Sequence, residues 1–231
     1  MFTQEKLSDT SQEMLKATCK QFCIIVIFSI AFAYIEAAVV VYLRTILHPD
    51  GFTFPLSNFG THPAWRQLLL TEIGRETATM IVILTCSWLF GRSHQQRFAY
   101  FLTIFAIWDI FYYIWLKVLI NWPGSIMDWD ILFLIPTIWA SPVLAPLLVS
   151  LTMLIFAVII LYRYHHDRAL KTTLTDRVGF SFAALIVAIS FCIAGRFITR
   201  PDFQTHFYWP LFALGQILAI ALFLKCLLKS G

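Results

Sequence analysis

The chain has 231 residues, of which 59% are hydrophobic and 13% charged, and its mean hydropathy is +0.76. A soluble domain is nearer half apolar and a quarter charged, so a water-soluble protein is excluded and an integral membrane protein with a single membrane domain is expected. The net charge of +4 is too small and too scattered along the chain to argue for nucleic acid.

Residues 1–21 are polar and mixed in charge, and are expected to form a short cytoplasmic lead, amphipathic or disordered, not a cleavable signal peptide. Residues 22–231 then form the membrane domain. A span needs about 20 mostly apolar residues. Six such runs follow, at 22–46, 67–90, 97–120, 142–162, 178–197 and 208–228. The longest loop between them is HPDGFTFPLSNFGTHPAWRQ at 47–66, and the most basic is RYHHDRALKTTLTDR at 163–177.

Lys and Arg set the orientation. With the N-terminus inside, Lys6, Lys16, Lys20, Arg92, Arg97, Arg163, Arg168, Lys171, Arg177, Lys225 and Lys229 all fall on the cytoplasmic side. Fewer fall opposite them: Arg44, Arg66, Arg75, Lys117, Arg196 and Arg200. Both termini are therefore expected in the cytoplasm, and the membrane is expected to be a bacterial inner membrane. The fold class expected is all-α, a six-helix transmembrane bundle.

The fourth span begins irregularly. Nothing from Ile131 to Tyr162 is charged. A straight helix over that stretch would be about 48 Å long, against about 30 Å of hydrocarbon. Pro136, Pro142 and Pro146 each remove a backbone donor from its first half. Residues 131–141 are expected to be a separate proline-broken piece, interfacial or re-entrant on the outer side. Such breaks often accompany ion and substrate sites.

Ionisable residues inside the spans fall into one layer. At about 1.5 Å per residue, Glu36, Arg75, Glu76, Asp109 and Gln216 all lie about 12–16 Å from the outer edge, with Glu72 shallower at about 8 Å. A lone charge at that depth costs about 3 kcal/mol on insertion scales, so one internal cluster is the economical arrangement. Glu72 and Arg75 are three apart and can pair, and Glu72 and Glu76 share a helix face. Tyr112, Tyr113 and Lys117 follow Asp109 along the third span and are expected to support its carboxylate. Carboxylates outnumber Arg75, and the excess is met by holding protons or by binding a cation.

Other chemistries lack their residues. All six histidines fall outside the spans: His48, His62 and His206 in outer segments, His94, His165 and His166 in inner ones. That removes the ligands for an intramembrane bis-histidine haem. There is no Glu-x-x-His pair for a di-iron site and no His-Glu-x-x-His. TEIGRETATM holds two glutamates and an arginine, but not in the Glu-Glu-x-x-x-Arg order of prenyl-protein proteases. The outer histidines could join Asp50, Asp128, Asp130 or Asp202 at a surface metal site, although plain polar loop residues are the expected reading. The five cysteines, Cys19, Cys23, Cys86, Cys192 and Cys226, lie in or beside apolar runs and imply no disulfide framework. Cys19 and Cys23, four apart, are expected to pack as small hydrophobes and not to hold a metal.

Three functions remain. The first is conduction or coupling of protons or a hard cation through the layer, with that cation as the candidate cofactor and none firmly implied. An alternative is an enzyme acting on a lipid or apolar substrate from the outer leaflet. In that case Glu72, Glu76 or Asp109 would be the general acid or base, and a lateral cavity open to lipid is expected. The third is a structural or assembly subunit of a larger complex. The bilayer is the certain partner; protein partners or a second copy of the chain are the further candidates.

The dipeptide Trp-Asp recurs, in AIWDIFYYIW at 106–115 and in WDILF at 129–133. Asp109 is expected near the midplane and Asp130 at the outer edge, as a helix N-cap beside an interfacial Trp129.

Overall fold

In a computed structural model the described residues are 2–48, 51–56, 60–166 and 168–230, with side chains described from Lys20 onward. Expectations that rest on the 1–21 lead, Cys19 and Asp50 fall partly or wholly outside them. The elements in order are α1 (Phe2–Leu47), α2 (Trp65–Phe90), α3 (His94–Ile120), β1 (Trp129–Phe133), β2 (Trp139–Pro142), α4 (Leu144–His165), α5 (Leu174–Gly195), a 3-10 turn (Phe203–His206) and α6 (Trp209–Lys229). Among the described residues, six helices are long and apolar enough to cross a membrane, as the six apolar runs predict. Their outward faces carry large apolar side chains such as Leu89, Val118 and Leu228. In water this would be unstable; against lipid it is the required surface. The protein is an integral membrane protein.

Local signals end the helices. Ser93 caps α3 by accepting from the Gln96 backbone N–H at 3.2 Å. Thr173 and Asp176 form a reciprocal capping box at the start of α5. Asn121 stops α3 in the left-handed conformation, φ 54°.

α3 is the central helix: α1, α2 and α4 all pack on it. α5 and α6 form a separate antiparallel pair, docked mainly on β2 and touching α4 lightly. Their approach depends on Gly215, where a Cβ would lie 2.7 Å from Val187 and 3.0 Å from the Ala183 carbonyl oxygen. At the end of the bundle away from the sheet, Asp176 of α5 accepts from Lys225 of α6 at 2.9 Å.

The expectation of helix alone is corrected between α3 and α4. Residues 129–142 form an antiparallel two-stranded hairpin, with Asp130 opposite Ser141 and Ile131 opposite Ala140. Two physical facts favour it. Proline cannot supply the N–H a helix needs at 136 and 142, whereas a short ladder leaves proline at its turn and end. The aromatic and β-branched residues also pair across the strands and with neighbours. Phe133 meets the Trp139 ring edge-on at 5.8 Å, and Trp129 packs against Phe203 at 4.9 Å. Four elements hold the hairpin. Glu76 of α2 accepts from the Leu134 N–H at its turn, Arg44 of α1 and Tyr112 of α3 reach Asp130, and Gly195 of α5 abuts Ile138.

Candidate functional site

Glu36, Arg75 and Glu72 form a charged triad. Arg75 Nε donates to Glu72 at 2.7 Å, and the two terminal guanidinium nitrogens reach Glu72 and Glu36. Thr79, one turn beyond Arg75, donates to the other Glu36 oxygen at 3.4 Å. The i,i+3 pairing within α2 follows from helix geometry, and the bond to α1 joins two helices that otherwise meet mainly through α3. The ion pair is partly buried, with Arg75 at 20% and Glu36 at 10% side-chain exposure.

Glu76 stands apart from that triad. Both its carboxylate oxygens accept the Leu134 N–H, at 3.0 and 2.9 Å. It is 5% exposed. Eleven residues into α2, it lies about 16 Å along that helix from its start, and the hairpin turn meets it there. A partly buried backbone N–H needs an acceptor, and Glu76 supplies it.

Asp109 accepts from the Ser150 hydroxyl of α4 at 2.8 Å. The expected support from its own helix is corrected. Tyr112 donates to Asp130 at 3.2 Å instead, and the Tyr113 hydroxyl has no partner among the described residues. Lys117 is exposed and donates to the carbonyls of Asn121 and Pro123, closing the end of α3. Residues three and four on share a helix face with Asp109, and what takes Tyr112 is the competing carboxylate of Asp130 on the hairpin. Gln216 of α6 is half-buried, with its amide nitrogen unpartnered.

Asp130 is also corrected. It is not an exposed helix cap but a strand residue, 2% exposed, and it accepts from Arg44 Nη2 at 3.0 Å. The Arg44 guanidinium lies between two rings, 4.0 Å from Phe52 and 3.8 Å from Trp122. Asp130 lies outside the spanning helices, where burial pushes its carboxyl up and the neighbouring Arg44 draws it back down. The pair was absent from the sequence expectations. Its available signal was that Arg44 and Asp130 are opposite charges at the same end of the bundle.

One cavity of about 1150 Å³ joins these groups. Glu36, Glu72, Arg75, Glu76, Asp109, Tyr112, Tyr113 and Gln216 all line it, and Lys117 does not. Arg44, Asp130 and Ser150 line it as well. The remaining wall is aromatic and aliphatic: Phe101, Phe105, Met153, Phe156, Phe191 and Phe223 contribute, drawn from α3 to α6. The space exists because α5 and α6 stand off from the α1–α4 group and are held by the hairpin. It runs from Phe52 and Trp65 at the hairpin end to Gln95, Leu170 and Arg177 at the other. At that far end Gln95 and the Leu170 backbone exchange two hydrogen bonds, fixing the α4–α5 loop on α3.

Among the described residues, no three His, Cys, Asp or Glu side chains come together as metal ligands. The surface pair of Asp202 and His206, 3.1 Å apart, has no third ligand of that kind. Cys23, Cys86, Cys192 and Cys226 are free thiols. The chain matches no protein-family model, and comparison with curated proteins and with solved structures gives no match either.

Proposed function

We propose that this protein takes an amphiphilic molecule from the bilayer into its intramembrane cavity and presents that molecule's polar group to the Glu36–Arg75–Glu76–Asp109 cluster. The observation that carries the reading is the cavity itself. At about 1150 Å³ it is at or above the upper end of ordinary ligand pockets, roughly 300–1,000 Å³. Its lining combines aromatic and aliphatic side chains with charged and hydrogen-bonding groups, the two chemistries an amphiphile has. A cluster serving only to lock helices would be packed against neighbours and would need no such space. If chemistry follows binding, Glu76 and Asp109 are the candidates for moving a proton, because neither carboxylate is committed to a cation.

The test is photolabelling in lipid nanodiscs with a lipid carrying a diazirine in its acyl chain. Label is expected on peptides holding Phe101, Phe105, Met153 and Phe156, besides the lipid-facing Leu89 and Leu228. Label confined to the outward faces would overturn the reading.

A second reading, coupling of protons or a hard cation, draws on one observation. Glu76 and Asp109 line the same cavity and make no ion pair among the described residues. A pH-jump flux in proteoliposomes that Glu76→Gln and Asp109→Asn both abolish would support it. Unchanged flux in both would sink it.

A further inference from the structure

We infer that the headgroup this cavity accepts is uncharged and hydroxyl-rich, a polyol or a sugar; the inference rests on the amphiphile reading above. The polar groups left without partners are of two kinds, and they lie on the same cavity. The first kind is a set of donors. Trp108 Nε1, Trp139 Nε1, Tyr113 Oη, Gln216 Nε2 and Arg44 Nη1 are buried with no hydrogen-bond partner among the described residues, and all five residues line the cavity. Trp108 is 5% and Tyr113 4% exposed. Orphaned donors are rare in folded proteins, so five on one cavity call for an oxygen acceptor that this chain does not supply.

The second kind is a pair of acceptors. Among the described residues, Asp109 receives only the Ser150 hydroxyl, on Oδ2, and no hydrogen bond reaches Oδ1. Among the same residues, Glu76 receives only the Leu134 N–H. These oxygens call for a donor.

Charge separates the ligand classes. The one arginine beside these acids, Arg75, is already held by Glu36 and Glu72, and Arg44 is held by Asp130. A phosphate or carboxylate headgroup would therefore meet two further carboxylates, while the charges of Arg75 and Arg44 are already paired and Arg177 lies at the far end of the cavity. A quaternary ammonium would sit well beside Asp109 and Glu76, but it has nothing to offer the five donors. A hydroxyl both donates and accepts, so a headgroup carrying several satisfies both sets at once.

The experiment uses the full chain in nanodiscs and three probes with one dodecyl chain: dodecyl glucoside, dodecyl phosphate and dodecyltrimethylammonium. Each competes against the diazirine lipid for labelling at Phe101 and Phe105. The glucoside is expected to displace the label at about tenfold lower concentration than either other probe, a difference of about 1.4 kcal/mol. Asp109→Asn and Gln216→Leu are expected to shrink that gap while cavity labelling persists.

Equal displacement by all three would overturn the headgroup assignment and leave the amphiphile reading standing. Preference for the phosphate or the ammonium would do the same. Absence of any cavity labelling would overturn both. Free glucose added as a fourth competitor separates the sources: displacement by glucose alone identifies a soluble polyol, and its failure beside an effective glucoside identifies a lipid-borne one. The wild-type ranking decides the question even if a variant does not fold.

Discussion

Breaking the Arg44–Asp130 pair should damage the hairpin more than any single surface change. Asp130 is 2% and Arg44 8% exposed, 3.0 Å apart. Asp130→Asn keeps the shape, and the amide oxygen can still accept from Tyr112, but the charge is lost. Arg44 then remains buried between Phe52 and Trp122 with no counter-ion. Removing one partner of a buried pair costs about 3–5 kcal/mol. For a chain of this size that corresponds to about 2–4 °C of melting temperature per kcal/mol, so a fall of roughly 6–20 °C is expected. Arg44→Met should cost a similar amount, because it strands the carboxylate instead. The double variant should lose at least about 2 kcal/mol less than the two singles added, since neither charge is then left alone. The assay is thermal unfolding in one detergent, followed by intrinsic tryptophan fluorescence. Additivity within about 0.5 kcal/mol, or single variants that melt with the wild type, would refute the coupling described here.

Three further outcomes follow from particular contacts. Gly195→Ala should destabilise by about 1–3 kcal/mol or more, because the new Cβ would lie 1.8 Å from the Ile138 carbonyl oxygen; an unchanged melting temperature would show that α5 does not abut the hairpin. Glu76→Leu should cost about 1–3 kcal/mol by stranding the Leu134 N–H, while Glu76→Gln, which keeps an acceptor, should cost less; equal losses would remove the hydrogen bond from the explanation. Asp202, on the loop before α6, has its carboxyl held below the usual range by the hydrogen bond from His206 and by Arg200. Its contribution to stability is therefore present above the unfolded aspartate value, about 3.9, and lost as pH falls through the lower folded value. The margin of wild type over Asp202→Asn should persist at pH 6 and vanish in strong acid, and a margin unaffected by pH would contradict it.

The helices were legible because lipid demands long apolar runs, and that signal survives without any knowledge of partners. Glu72 with Arg75 was legible from spacing alone, and Glu36 from depth. The hairpin was not legible, because an uncharged run such as ILFLIPTIWASP has the hydropathy of a span whether it is helix or strand. Only its prolines marked a break, and prolines say where a helix fails without saying what replaces it. Asp130 was misplaced for the same reason: read as a cap before a helix, it was assigned to the surface. Its partner lies 86 residues earlier in the chain, a separation no local pattern reports. Asp109 was identified, but its partner Ser150 is on another helix, and of the tyrosines that spacing puts on its face of α3, Tyr112 is claimed by Asp130 of the hairpin.

The hairpin sits between two groups of helices that leave the ribosome at different times. α1 to α3, β1 and β2 are complete before Gly195 is made. At about 5–20 residues per second, the 53 residues from Pro142 to Gly195 take roughly 3–10 s. Throughout that interval the inner wall built by α3 and the hairpin lacks its α5–α6 cover. If lipid chains cover that wall meanwhile, α5 and α6 close against β2 over a space that lipid already occupies. The cavity would then be born filled, and its first occupant would be whichever molecule the surrounding leaflet supplied during synthesis.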